Sequence, residues 1–104
     1  MNATPEPHPV TARQPGDQVA VGWDPALCTF YAVVAGDGYR LRIGCSRRQF
    51  IIPETLFREL GPHAAMREPE AQMVNALLRM DRNRFPPPAE PPRWYSEEAS
   101  GRAR

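Results

Sequence analysis

From residue 19 to residue 45, apolar side chains recur at every second position, and two turn signals cut the run into three. Strand side chains alternate between opposite faces, so this pattern demands an extended, half-buried chain and excludes a helix there. Val19, Val21 and Trp23 alternate with Ala20, Gly22 and Asp24. Asp24, Pro25 and Ala26 then read as a turn, because proline presets the φ of its second position. Residues 27–35 are rich in aromatic and β-branched side chains, which favour strands. Asp37 and Gly38 follow, a pair suited to the left-handed backbone of a tight hairpin. Tyr39, Arg40, Leu41, Arg42, Ile43, Gly44 and Cys45 form the third alternating run.

The two turns can be tested against each other. A two-residue turn at Asp37 and Gly38 sets Val34 opposite Leu41, Ala32 opposite Ile43 and Phe30 opposite Cys45. A turn closed by Pro25 and Ala26 sets Trp23 opposite Cys28, Val21 opposite Phe30 and Val19 opposite Ala32. Opposed residues share a face, so both turns build the same apolar side. A one-residue slip in either would destroy it. The expectation is a three-stranded antiparallel meander, extended to four strands if residues 49–52 continue it.

Two helices are expected next. Pro53 suits a first helical position, and Gly61 with Pro62 is a stop signal. Leu56, Phe57 and Leu60 stripe the segment between them. A second helix is expected over residues 69–83. Met73, Val74, Leu77, Leu78 and Met80 line one side and Gln72, Asn75, Arg79 and Arg82 the other. Acidic residues at its start and arginines at its end complement the helix dipole. The fold class read from these elements is α+β, with both helices on the sheet's apolar face.

Proline sets the boundaries. Nine of the 13 prolines fall within residues 1–17 and 85–104. Segments of that composition bury too little apolar surface to offset their ordering entropy. The reading is therefore a flexible proline-rich tail over 1–17, one small domain over 18–84, and a second proline-rich tail over 85–104. A domain of that size buries only about 60% of its unfolded surface, so a partner or self-association would help it.

Composition narrows the function classes. All 13 basic residues are arginine, and Ala, Gly, Pro and Arg supply 46 of the 104 residues. GC-rich codons explain that bias, which points to a high-GC, bacterial genome. No run approaches the roughly 18 apolar residues of a membrane span. The first 17 residues lack the apolar core of a signal peptide, so a cytoplasmic protein is expected. A net charge of +1 is far from a polybasic balance.

The outer face of the sheet is the first candidate site. The register puts Leu27, Thr29, Tyr31, Val33 and Ala35 there, beside Arg40 and Arg42. A solvated face usually carries more polar residues, and a mixture of aromatic, aliphatic and arginine side chains is what interface cores favour. Tyr31, Val33, Arg40 and Arg42 are therefore the expected partner-binding residues, toward another protein or a second copy. The bland alternative is that arginine stems cover these apolar residues. A second candidate is nucleic acid, held by Arg40, Arg42, Arg47 and Arg48, with a tyrosine as stacking platform. Residues 18–84 carry a net charge of only +2, low for such a binder.

Catalytic signals are weak, and no catalytic residue is assigned. Asp24 and Asp37 have ordinary turn roles. Cys28 and Cys45 read as small buried hydrophobes, with Cys45 the least implausible nucleophile because Arg47 and Arg48 follow it. The cysteines stand 17 residues apart and His63 is the sole histidine of the domain, which is not zinc-site spacing. Neither metal nor cofactor is expected. Pro88, Pro91 and Arg93 form a PxxPxR motif of the kind read by SH3 grooves, with Trp94 and Tyr95 directly after it. The functional expectation is a small non-enzymatic protein that acts by protein–protein contact.

Overall fold

A computed structural model of the chain describes residues 4–88. Four strands, β1 (His8–Val10), β2 (Gln18–Asp24), β3 (Thr29–Gly36) and β4 (Tyr39–Ile43), precede two helices, α1 (Pro53–Leu60) and α2 (Glu68–Arg84). The sheet runs β1-β2-β3-β4 with every neighbour antiparallel. The class is α+β, as the alternation and the two helical stripes require.

The apolar side is the one read from alternation. Val19, Val21, Trp23, Phe30, Ala32 and Val34 are all buried, under Leu56 and Leu60 of α1 and Val74 and Leu78 of α2. Trp23 and Phe30 meet at 4.8 Å between ring centroids, tilted by 51°. The Trp23 indole N–H donates to the Phe85 carbonyl at 2.7 Å, satisfying a buried donor at the end of α2.

The registers differ from expectation at one hairpin. Val34 pairs with Leu41 and Ala32 with Ile43, as expected. The β2–β3 turn is two residues longer: Trp23 pairs with Phe30, Val21 with Ala32 and Val19 with Val34. A shift of two keeps every side chain on its face, so the burial pattern survives. The physical reason is a wider turn in which the Asp24 carboxylate accepts the Leu27 N–H at 3.2 Å and Cys28 takes a left-handed φ of 53°.

The fourth strand comes from the amino-terminal segment, not from residues 49–52. β1 pairs His8 with Val21, Pro9 with Ala20 and Val10 with Val19. Proline is tolerated there because β1 is an edge strand. The segment is held further by Ala12 bridging Ala64, by Thr11 donating to Glu70 at 2.9 Å, and by Arg13 donating to the Gly61 and Ala64 carbonyls at 2.8 and 3.0 Å. Residues 49–52 still touch the sheet. Gly44, at φ 94°, turns the chain away from β3 so closely that a Cβ there would stand 2.6 Å from the Phe30 carbonyl. Phe50 then returns, and its carbonyl accepts the Phe30 N–H at 2.9 Å. Phe50 thus occupies the place expected for Cys45.

α2 buries a narrower stripe than expected. Val74, Leu78 and Asp81 face inward, whereas Met73 and Met80 are 58% and 51% exposed. Asp81 is buried because His8 Nε2 reaches its carboxylate at 2.7 Å, tying α2 to β1. The PxxPxR motif, past Pro88, and Trp94 with Tyr95 lie outside the described residues.

Candidate functional site

Both helices lie on one side of the sheet, so the other side is formed by β2, β3 and β4 side chains of opposite parity, with Pro9 of β1. Ala20, Tyr31, Val33 and Ala35 are partly exposed there, and Arg40 and Arg42 are exposed. Pairing sets Val33 against Arg42 and Ala35 against Arg40, as expected. Thr29 and Leu27 depart from expectation. Thr29 is wholly buried, its hydroxyl accepting the Phe50 N–H at 2.8 Å, and Leu27 lies in the widened turn.

The four expected partner residues divide into two groups. Tyr31 lies across Gly22, its register partner, so closely that a Cβ on Gly22 would sit 2.7 Å from the ring. The Arg42 guanidinium stacks over the ring at 4.4 Å and donates to Asp24 at 2.9 Å and to the Gly44 carbonyl at 3.1 Å. Burial raises the Tyr31 phenol above its ordinary range, with the Arg42 charge opposing and the Asp24 charge assisting. Tyr31 and Arg42 therefore border a cavity of about 210 Å³ whose wall also includes Thr4, Pro5, Trp23 and Asp24.

Val33 and Arg40 belong to the other group. With Pro7, Pro9, Ala20 and Ala35 they line a shallow groove of about 530 Å³ along the outer face. At its end Tyr39 folds over Gly36, and its hydroxyl donates to Asp17 at 2.9 Å, which raises the phenol's pKa. Sequence reasoning missed Pro7, Pro9 and Ala20. Ala20 was findable, since it alternates with the buried Val19 and Val21. The two prolines were not, because nothing local marks residues 8–10 as a strand.

The arginines considered for nucleic acid reach both ends of β3. Arg40 stands beside the β3–β4 turn, whereas the Arg48 N–H donates to the Leu27 carbonyl at 2.9 Å, at the opposite end of β3. Of the two tyrosines near them, Tyr31 has one ring face occupied by Arg42.

The cysteines are not the buried pair expected. Cys45 is exposed, with its Sγ 3.5 Å from the Arg42 carbonyl, and Cys28 is half-buried in the turn. The chain leaves the sheet at Gly44, which is why Cys45 misses the core. Among the described residues no group of three or more His, Cys, Asp or Glu side chains is placed to hold a metal ion. No helix among them is long and apolar enough to cross a membrane. No protein-family model, curated protein or solved structure matches the chain.

Proposed function

We propose that this is a small non-enzymatic protein that works by protein–protein contact through the outer face of its sheet. The observation that carries the reading is the groove of Pro7, Pro9, Ala20, Val33 and Ala35, a mainly apolar strip with Asp17, Gln18 and Arg40 as its polar lining, on the side that neither helix covers. These side chains are short, so a second sheet can approach to the roughly 10 Å spacing of stacked sheets. A second copy of the chain presents such a surface and is the occupant that fits best. Arg40 and the arrangement of Arg42 over Tyr31 supply the polar rim of the contact. Val33 and Ala35 form its centre. A bacterial, cytoplasmic setting agrees with the codon bias and with two unpaired cysteines.

Sedimentation equilibrium tests this. The wild type should associate in the micromolar range, and the double substitution Ala20→Gln with Val33→Gln should return it to monomer without altering its melting curve. Tyr31→Glu is a poorer probe, because it also unstacks Arg42.

A second reading takes Arg40, Arg42, Arg47 and Arg48 as phosphate contacts. It is favoured by the absence of any acidic residue between Asp37 and Glu54. Against it, Arg42 is already paired with Asp24. Binding of an oligonucleotide whose affinity falls steeply with salt would support it. A third reading, Cys45 as an enzymatic nucleophile, predicts rapid alkylation of that thiol by iodoacetamide in the native protein.

A further inference from the structure

β4 is the outer strand of the sheet on the side away from β1. β1 closes its own edge with Pro9 and with only three residues, two devices that blunt strand addition. β4 has neither. It is five residues long, contains no proline, and is exposed from Tyr39 through Arg42.

Its open backbone groups can be identified. In a hairpin closed by two residues, the pair flanking the turn exchanges both hydrogen bonds, and such pairs then alternate along the ladder. Gly36 with Tyr39, Val34 with Leu41 and Ala32 with Ile43 are therefore the bonded pairs. Arg40 and Arg42 turn their N–H and C=O groups to the open side. The Cys45 Sγ, 3.5 Å from the Arg42 carbonyl, agrees with this orientation.

The side chains then say what kind of strand can add. Arg40 and Arg42 stand on the outer face, and Leu41 and Ile43 on the inner face, where Leu41 remains 38% exposed. β4 of a second copy is a poor fit. Every antiparallel register that brings the open backbone groups of residues 40–42 of both copies together sets arginine opposite arginine, and directly opposed like charges destabilise. Arg42 is held by Asp24 and lies over Tyr31, so the charge that β4 offers an added strand is Arg40, and it complements a strand with an acid facing Arg40 and apolar residues on either side.

We infer that the β4 edge accepts an extended acidic segment of a partner protein, one alternating carboxylate and aliphatic side chains, as a fifth antiparallel strand. Backbone bonds to Arg40 and Arg42 hold it, and the carboxylate facing Arg40 selects it. The inference concerns the edge of the sheet and does not depend on what covers the outer face.

The probe is a fluorescein-labelled nine-residue peptide alternating glutamate and valine, titrated with the full chain and read by anisotropy. Saturable binding is expected, weakened about threefold to fivefold by Arg40→Gln. N-methylating the glutamates keeps every charge and removes the donors facing β4, and it should weaken binding about tenfold or more. The Ala20→Gln, Val33→Gln double variant should bind as the wild type does, which separates failure of the edge from failure of the face. Absence of binding to the wild type overturns the inference. So does equal binding of the N-methylated peptide, or displacement by a single-stranded oligonucleotide as effective as the unlabelled peptide, because either reduces the contact to charge alone.

Discussion

Two glycines and one histidine show how much single residues decide here. Gly22 and Gly36 each face a tyrosine across the sheet, Tyr31 and Tyr39, and each ring uses the space a Cβ would fill. Gly22→Ala should push the Tyr31 ring off its seat and break its stack with Arg42, costing about 0.5–1 kcal/mol of stability in urea melting. The rotated ring should also change the tyrosine fluorescence or its NMR shifts, which a simple propensity effect would not. His8 carries more weight. It is the hydrogen-bond partner that meets the buried Asp81 carboxylate, across 73 positions of sequence. His8→Ala should leave that carboxylate unsatisfied and cost about 1–3 kcal/mol. The same loss from His8→Ala in an Asp81→Ala background would contradict this role, since the pair would then contribute nothing jointly.

At the scale of elements, what could be read from sequence follows from how local each signal is. β2, β3, β4 and both helices carry their own periodicity, turn residues and breakers, and each is found, with β3 beginning two residues later and β4 ending two residues earlier than the alternation runs. The β3–β4 register is fixed by Asp37 and Gly38 alone. The β2–β3 register depends on how wide a turn Asp24 can brace through Leu27, which proline at position 25 does not determine. β1 left no local signature at all. Its three residues include a proline, and what holds the segment is long-range: Ala12 on Ala64, Thr11 on Glu70, Arg13 on the carbonyls ending α1. A variant lacking residues 1–13 should therefore lose a large part of the roughly 5–15 kcal/mol that holds a small domain folded. An unchanged urea midpoint would show that β1 is dispensable. The candidate site divides the same way. Parity alone sets Val33, Arg40 and Arg42 on the outer face, whereas Pro7 and Pro9 reach the groove only through β1.

The α1–α2 contact gives an element-scale pH test. Glu54 accepts from Asn75 at 2.9 Å and from Arg79 at 2.9 Å. The Asn75 hydrogen bond, a bond to its own backbone and the Arg79 charge hold its carboxyl below the ordinary value of 4.5. A lowered folded pKa means that the stabilisation is fully present above that ordinary value and is lost as pH falls through the folded one. The pair is half-exposed to solvent, so its worth is at most a few tenths of a kcal/mol. Glu54→Gln should cost up to about a few tenths of a kcal/mol at neutral pH, where the stabilisation is present, and its difference from the wild type should vanish as pH falls well below 4.5.

Among the described residues the molecule has two layers, the sheet and the pair of helices on one of its faces. One face of the sheet is sealed by α1 and α2 around Trp23, Phe30, Leu56 and Leu78. The other carries a shallow apolar groove and an open edge. Small domains bury a limited share of their surface, and covering a second sheet face is the direct way to bury more. Alternation along β2 and β3 makes that asymmetry legible in the sequence, since Val33 and Ala35 take outer positions that a solvated face would give to polar side chains. The measurement that tests the account most directly is sedimentation equilibrium of the full chain beside its Ala20→Gln, Val33→Gln variant across micromolar concentrations. The account predicts a reversible dimer for the wild type and a folded monomer for the variant. A wild type that stays monomeric throughout, or a variant that associates equally well, would contradict it.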